Sequence, residues 1–396
     1  MTNKKRDIFF DIAKGVGIIS VVLGHCWPFA MKFVYSYHLL LFFFITGYFY
    51  DKKKYEKDPV GNIVNKLKNN YPKYFLYSFL FLISHNILSN LNMISAVPYS
   101  KGEFVKNAFN LTLLVPSETL AGALWFVPVM IYAISIFGVF VYIGSKFKNK
   151  LKSLLFVGFC CFISGIFGLL INAKGIYMFL HIQTSILILP VIFLAYICRL
   201  LYDKKIDFRK YLTWYGLIIS IILMLLILKW YPNNWIELAN NNIFTKKMFF
   251  IVVAIGLYMS LAFTKLISNI KYISNHISWI GKYSFEIMAI HFLIFKIIDV
   301  ICFKLNISLS LGVSTFPIAD PKLWFIYLVL GTYGSILIAI LLKKMQQIVI
   351  YGFKSIINNQ KFRNRFNKNK SKFTSIPLFT NIRKNYIELI QKYDEK

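Results

Sequence analysis

Long apolar runs alternate along the chain with short polar segments that are mostly basic. Leu217–Leu228 and Leu323–Leu342 are two such runs. About 20 apolar residues in helical form span a hydrocarbon core. Only helices or closed barrels can cross lipid, because every backbone polar group must be satisfied internally. Runs this long and unbroken predict helices. Ten spans are expected, near residues 8–26, 33–50, 72–92, 124–144, 153–171, 180–200, 211–230, 247–267, 283–303 and 323–342. The expected fold class is therefore all-α, a polytopic membrane protein with about ten transmembrane helices.

Composition agrees with that reading. Apolar residues make up 57% of the chain and charged residues only 16%, well below the roughly 25% of a soluble domain. The net charge of +30 is then informative through its distribution. With the N-terminus placed in the cytoplasm and the spans alternating, the inner segments hold 34 Lys and Arg and the outer segments 9. Basic residues accumulate on the cytoplasmic side of short loops. Both termini are accordingly expected in the cytoplasm. The same distribution argues against a nucleic-acid partner and makes anionic membrane lipids the simpler one.

The opening "NKKRDIFF" leads into an apolar run, as a signal peptide would, but bulky "HCWPFAMKF" follows where a cleavage site would need small residues. A retained first helix is expected. The five cysteines show neither metal-ligand nor redox spacing, and packing accounts for them. No metal site is expected. Residues 1–342 read as one membrane domain. Residues 343–396, rich in Lys and Asn as in "NQKFRNRFNKNKSK", read as a basic cytoplasmic tail. The outer segment "YPNNWIELANNNIFTK" reads as a loop that either stands in solvent or touches a polar ligand.

The first span, "DIAKGVGIISVVLGH", carries an acid, a lysine and a histidine. A charge at the centre of a bilayer costs about 2.5–3.5 kcal/mol on insertion scales. Asp11 and Lys14 are three residues apart and can neutralise each other on one helix face, which alone would make them a structural pair. Lys14 and His25 are eleven residues apart, so they fall within about 20° of one face and about 16 Å apart along the axis. A charge low in the helix and a histidine high on the same face suggest a polar path through the membrane. Gly15, Gly17 and Gly24 allow close approach of neighbours or ligand. His38 opens the second span at the depth of His25. Two histidines at one depth are a candidate acid/base pair, because imidazole titrates near working pH.

Taken in order, these stretches resemble the acyltransferase 3 family of integral membrane acyltransferases. In "RDIFFDIAKGVGIISVVLGH", Lys14 and His25 with ten residues between resemble the family's Arg/Lys-x10-His signature, and Arg6 and Asp11 its neighbouring charged positions. "YHLLLFFFITGYF" resembles the following His-led segment, with Leu40 where Pro is usual. "YPKYFLY", "LWFVP" with Trp125, and "IGKYSFEIMAIH" with Ser284 and His291 resemble later landmarks. Lys66, Lys68 and Lys73 stand where many relatives carry arginines.

The resemblance implies an O-acyltransferase of the cell membrane, the bacterial cytoplasmic membrane. It would move an acyl group, usually acetyl, from cytoplasmic acyl-CoA to a hydroxyl of a surface glycan or its lipid-linked precursor. Acetyl-CoA would be a donor substrate, with no bound cofactor, and the glycan-synthesis machinery a natural partner. His25 would be the base and His38 its companion, with Lys14, Asp11, Arg6, Trp125, Ser284 and His291 contacting substrate. Inner lysines of 51–73 could meet the CoA phosphates as point charges. Nothing resembles a nucleophile motif, so direct transfer is simpler than an acyl-enzyme. Two rival classes remain compatible with the residues alone: a polytopic transporter, and a non-catalytic assembly factor for glycan export.

Overall fold

The computed structural model describes residues 7–232, 236–240, 242–243, 247–307 and 321–358, side chains excepted at 242, 349, 350 and 352–358. Helix α1 (Ile8–Cys26) is capped by Asp7, whose carboxylate accepts from the Phe9 amide at 3.1 Å. Pro28 opens α2 (Pro28–Val34), as suits a residue with no amide hydrogen to leave unpaired. A break at 35–37 separates it from α3 (His38–Tyr48). The short α4 (Lys52–Tyr55) precedes α5 (Pro59–Asn90), which Asp58 caps. Ser100 and Glu103 form a reciprocal capping box on α6 (Lys101–Thr112).

A 3₁₀ segment, Thr119–Trp125, leads into α7 (Phe126–Gly144). Then come α8 (Lys150–Ala173), α9 (Ile182–Leu187), α10 (Leu189–Asp203) and α11 (Trp214–Trp230). A two-stranded antiparallel hairpin, β1 (Ile236–Glu237) and β2 (Asn242–Ile243), follows, with Ile236 opposite Ile243. The described chain closes with α12 (Phe249–Ser268), α13 (Lys271–Lys282), α14 (Ser284–Lys304) and α15 (Trp324–Asn358).

The protein is an all-α, multi-pass membrane protein. Among the described residues, six helical stretches are long and apolar enough to cross a bilayer: Ile8–Cys26, Pro28–Tyr48, Thr119–Gly144, Lys150–Ala173, Phe249–Ser268 and Pro321–Ile348. Phe179–Leu187 with Leu189–Asp203, bent by 50°, makes a seventh if the pair is one span. Helices also occupy the other three expected spans, and each departs from a plain apolar rod. The first half of α5 is polar, as "PVGNIVNKLKNNYPK" shows. With 17 residues, α11 is about 26 Å long against a core of about 30 Å. Glu286, Lys296 and Asp299 lie on α14.

Glycine sets how closely the first helix meets its neighbours. A β-carbon on Gly281 of α13 would strike the Asp11 carbonyl of α1, and one on Gly15 would strike the Ile277 carbonyl. The two helices therefore touch backbone to backbone, as small residues permit within membranes. Gly47 of α3 meets the Ile192 backbone of α10 in the same way. Because α13 runs directly into α14, the α1–α13 contact fixes where α14 starts beside α1. Aromatic rings fill the layer near the start of α1, where Phe10 meets Tyr48, Tyr48 meets Phe208, and Phe208 meets Phe44. Arg209 ties that layer to the helix cap through a 3.0 Å bond to Asp7.

The chain divides into two units, Met1–Ile336 and Leu337–Lys396. The second continues α15 through residue 342 to Asn358. Beyond 358, the expected basic tail lies outside the described residues, as does Arg6.

Candidate active site

His25 sits one residue before the end of α1, and His291 lies in the first half of α14. Nδ1 of His25 is 2.9 Å from Nε2 of His291. The rings are nearly parallel, 9° apart, with centroids 5.1 Å apart. The second nitrogen of His291 fixes which ring donates. Its Nδ1 is 2.9 Å from the Ile287 carbonyl and 3.0 Å from the Met288 carbonyl. Carbonyl oxygens only accept, so Nδ1 carries the hydrogen and the neutral ring keeps its lone pair on Nε2. His25 therefore donates from Nδ1 into that lone pair. Its own lone pair is left on Nε2, the atom that can take a proton.

Sequence reasoning paired His25 with His38. The hydrogen bond of His25 Nδ1 runs instead to His291, on a helix more than 260 residues later. The reason is the close α1–α13 contact, which carries the start of α14 along α1. His291 is fully buried, and stands behind His25 rather than in the cavity beside it.

That cavity has a volume of about 520 Å³. Lys14, Ile18, Val21 and His25 line it, one stripe of α1 at helical spacing. Lys14 is 3.6 Å from the Asp11 carboxylate; Asp11 is buried, while Lys14 keeps about a third of its side chain accessible. His38 lines the same cavity and donates from Nδ1 to the Val34 carbonyl at 2.8 Å, so its lone pair also falls on Nε2. Between the two histidines lies Tyr35, whose ring centroid is 4.7 Å from that of His38 and 6.1 Å from that of His25.

Trp125, at the end of the 3₁₀ segment, and Ser284, at the start of α14, are further lining residues. Thus Lys14, His25, His38, Trp125 and Ser284 come together around one space. Asp11 and His291 stand directly behind it, each bonded to a lining residue. Of the lysines before the third span, Lys73 is committed to a 2.8 Å ion pair with Glu286 of α14. Among the described residues, no three His, Cys, Asp or Glu side chains are grouped to hold a metal ion.

Thr46, inside the His-led segment, also lines the cavity. Two polar lining residues went unread in the sequence, Asn70 and Thr119, which come from different elements. Each is a common polar residue with no local signature. Ile236–Asn240 of the hairpin also line the cavity, which decides the question left open for that loop: part of it faces the site rather than solvent. Its Asn-rich composition around one acid was the available signal.

The sequence matches the acyltransferase domain of the acyltransferase 3 family over residues 7–356. The chain belongs to this family of membrane acyltransferases. No curated protein and no solved structure matches it.

Proposed function

We propose that the protein transfers an acyl group, usually acetyl, from cytoplasmic acyl-CoA to a hydroxyl of a cell-surface glycan or its lipid-linked precursor. In this reading ten helices cross the cytoplasmic membrane of a bacterium, both termini are cytoplasmic, and residues 1–342 form the catalytic domain. His25 Nε2 removes the proton from the acceptor hydroxyl. The alkoxide oxygen attacks the thioester carbonyl, a C–O bond forms, the C–S bond breaks, and the CoA thiolate takes the proton back from His25. His291 holds His25 in the tautomer this needs, since its Nε2 accepts from Nδ1. His38, with its lone pair also on Nε2, orients the acceptor from the next helix.

Lys14 lies eleven residues toward the N-terminal end of α1, on the side where the donor would enter, and contacts the pantetheine arm. The exposed Lys68 and half-buried Lys66 on α5 offer charge to the CoA phosphates. The basic segments of the cytoplasmic face suit anionic lipids, and the acceptor implies proximity to the glycan-synthesis machinery.

The observation that carries this reading is the proton accounting along the chain Ile287 O, His291, His25, which leaves a basic nitrogen on a cavity-lining residue. A non-catalytic assembly factor needs no basic nitrogen on a cavity-lining residue. The test is glycan acylation in cells bearing His25→Ala or His25→Gln, with membrane levels of protein matched. Both should lose about 10²–10⁴-fold, the worth of general-base catalysis. The glutamine can hydrogen-bond but cannot take the proton. Normal acylation by either variant would overturn the mechanism. Labelled acetyl-CoA tested against the purified protein checks the donor separately: transfer that requires His25 but takes its acyl group from another donor, with none from acetyl-CoA, would replace the thioester and leave the base in place.

A further inference from the structure

The cavity is electrically lopsided. Among the described residues that line it, Lys14 supplies the one ammonium and Glu237 the one carboxylate. They enter from different ends. Lys14 is on the N-terminal half of α1, about 16 Å along the axis from His25. Glu237 belongs to the hairpin, which lies toward the other end of α1: Lys32 of α2, just past that end, donates to the Pro232 carbonyl at 2.5 Å.

The position of Glu237 is built rather than incidental. On either side of it Ile236 and Leu238 are buried, as is Ile243 across the strand pair. Those three apolar side chains belong to the main core cluster and anchor the hairpin. Asn240 donates to the Glu237 carboxylate at 2.5 Å, and the Tyr177 hydroxyl donates to the Asn240 carbonyl. The carboxylate is thereby oriented from one side and lines the cavity with His25, Tyr35, His38 and Trp125.

We infer that Glu237 selects the acceptor by charge, so that the sugar unit acylated here is neutral or carries an amine and bears no acidic group. This rests on the proposed acyl transfer to a glycan. A carboxylate beside the base accepts hydrogen bonds from hydroxyls adjacent to the reacting one, and attracts an ammonium in the same place. A sugar bearing its own carboxylate or phosphate would meet a like charge in a cavity lined largely by apolar side chains, where repulsion is stronger than in open water. Trp125 adds an indole surface for the apolar side of a sugar ring.

The experiment uses the full-length protein in phosphatidylcholine nanodiscs and three probes that share one ring: methyl β-glucoside, methyl β-glucosaminide and methyl β-glucuronide. The readout is protection of His25 and His38 from diethyl pyrocarbonate, followed by peptide mass spectrometry, which needs no turnover. The glucoside and glucosaminide should protect at concentrations at least about tenfold lower than the glucuronide. Glu237→Gln, which keeps the size and the Asn240 contact region but removes the charge, should erase that preference. Equal protection by all three sugars in the wild-type protein, no protection by any, or an unchanged preference in Glu237→Gln would each overturn the inference. Failure of the acyl-transfer reading is separately visible, as normal glycan acylation by His25→Gln in cells.

Discussion

Replacing His291 separates a proton-positioning role from a packing role, because the two predict opposite rankings of substitutions. His291→Phe keeps an aromatic ring of similar volume in a fully buried site, so packing changes little. It removes the acceptor 2.9 Å from His25 Nδ1. A buried donor left without a partner costs about 1–3 kcal/mol. The imidazole escapes that cost by moving its hydrogen to Nε2, where it finds other company but can no longer take a proton. Holding the reactive tautomer then costs about the same 1–3 kcal/mol, which is about 5- to 150-fold in rate. His291→Gln is worse for packing, being a flexible amide in place of a ring. Its side-chain carbonyl, however, can sit where His291 Nε2 now accepts. Positioning predicts that Gln retains more activity than Phe. Packing predicts the reverse. The assay is acyl transfer at saturating donor with membrane protein levels matched, alongside thermal stability in detergent. The refuting result is a Phe variant at wild-type rate, or one faster than Gln.

Three further outcomes follow from particular contacts. Lys14→Ala should raise the donor concentration needed for half-maximal transfer, and Lys14→Arg should recover part of the loss, since the charge survives and the shape does not; unchanged donor dependence in Lys14→Ala would leave Lys14 as the ion-pair partner of Asp11 only. Gly281→Ala should lower the melting temperature and the activity together, because its β-carbon would strike the Asp11 backbone, with overpacking of about 1–3 kcal/mol. Gly102→Ala, where a β-carbon meets open space in an exposed helix, should be neutral or stabilising and serves as the control. Reporter fusions should place both termini in the cytoplasm and the 93–123 segment outside, as the distribution of lysine and arginine requires; an external N-terminus would remove Lys14 from the donor side.

Much of this protein is determined by residue order alone. Alternation of apolar runs with basic segments fixes an all-α membrane protein, because lipid admits so few backbone solutions. Spacing on a single helix fixes that Lys14, Ile18, Val21 and His25 share a face, since helical geometry is local. Five short stretches in order fix the family. Tertiary structure alone decided the rest. The hydrogen bond from His25 to His291 joins residues 266 positions apart, and no periodicity reports such a pair. It exists because glycines at 15 and 281 let α1 and α13 meet at the backbone, so that the helix after α13 brings its histidine beside the end of α1. His38, nearer in sequence and at the same expected depth, instead donates to its own preceding turn. Glu237 likewise lay in a loop that pattern alone leaves undecided between solvent and site. Its place in the cavity comes from Ile236, Leu238 and Ile243 finding buried partners, a choice made by packing across the whole bundle and not by the residues beside it.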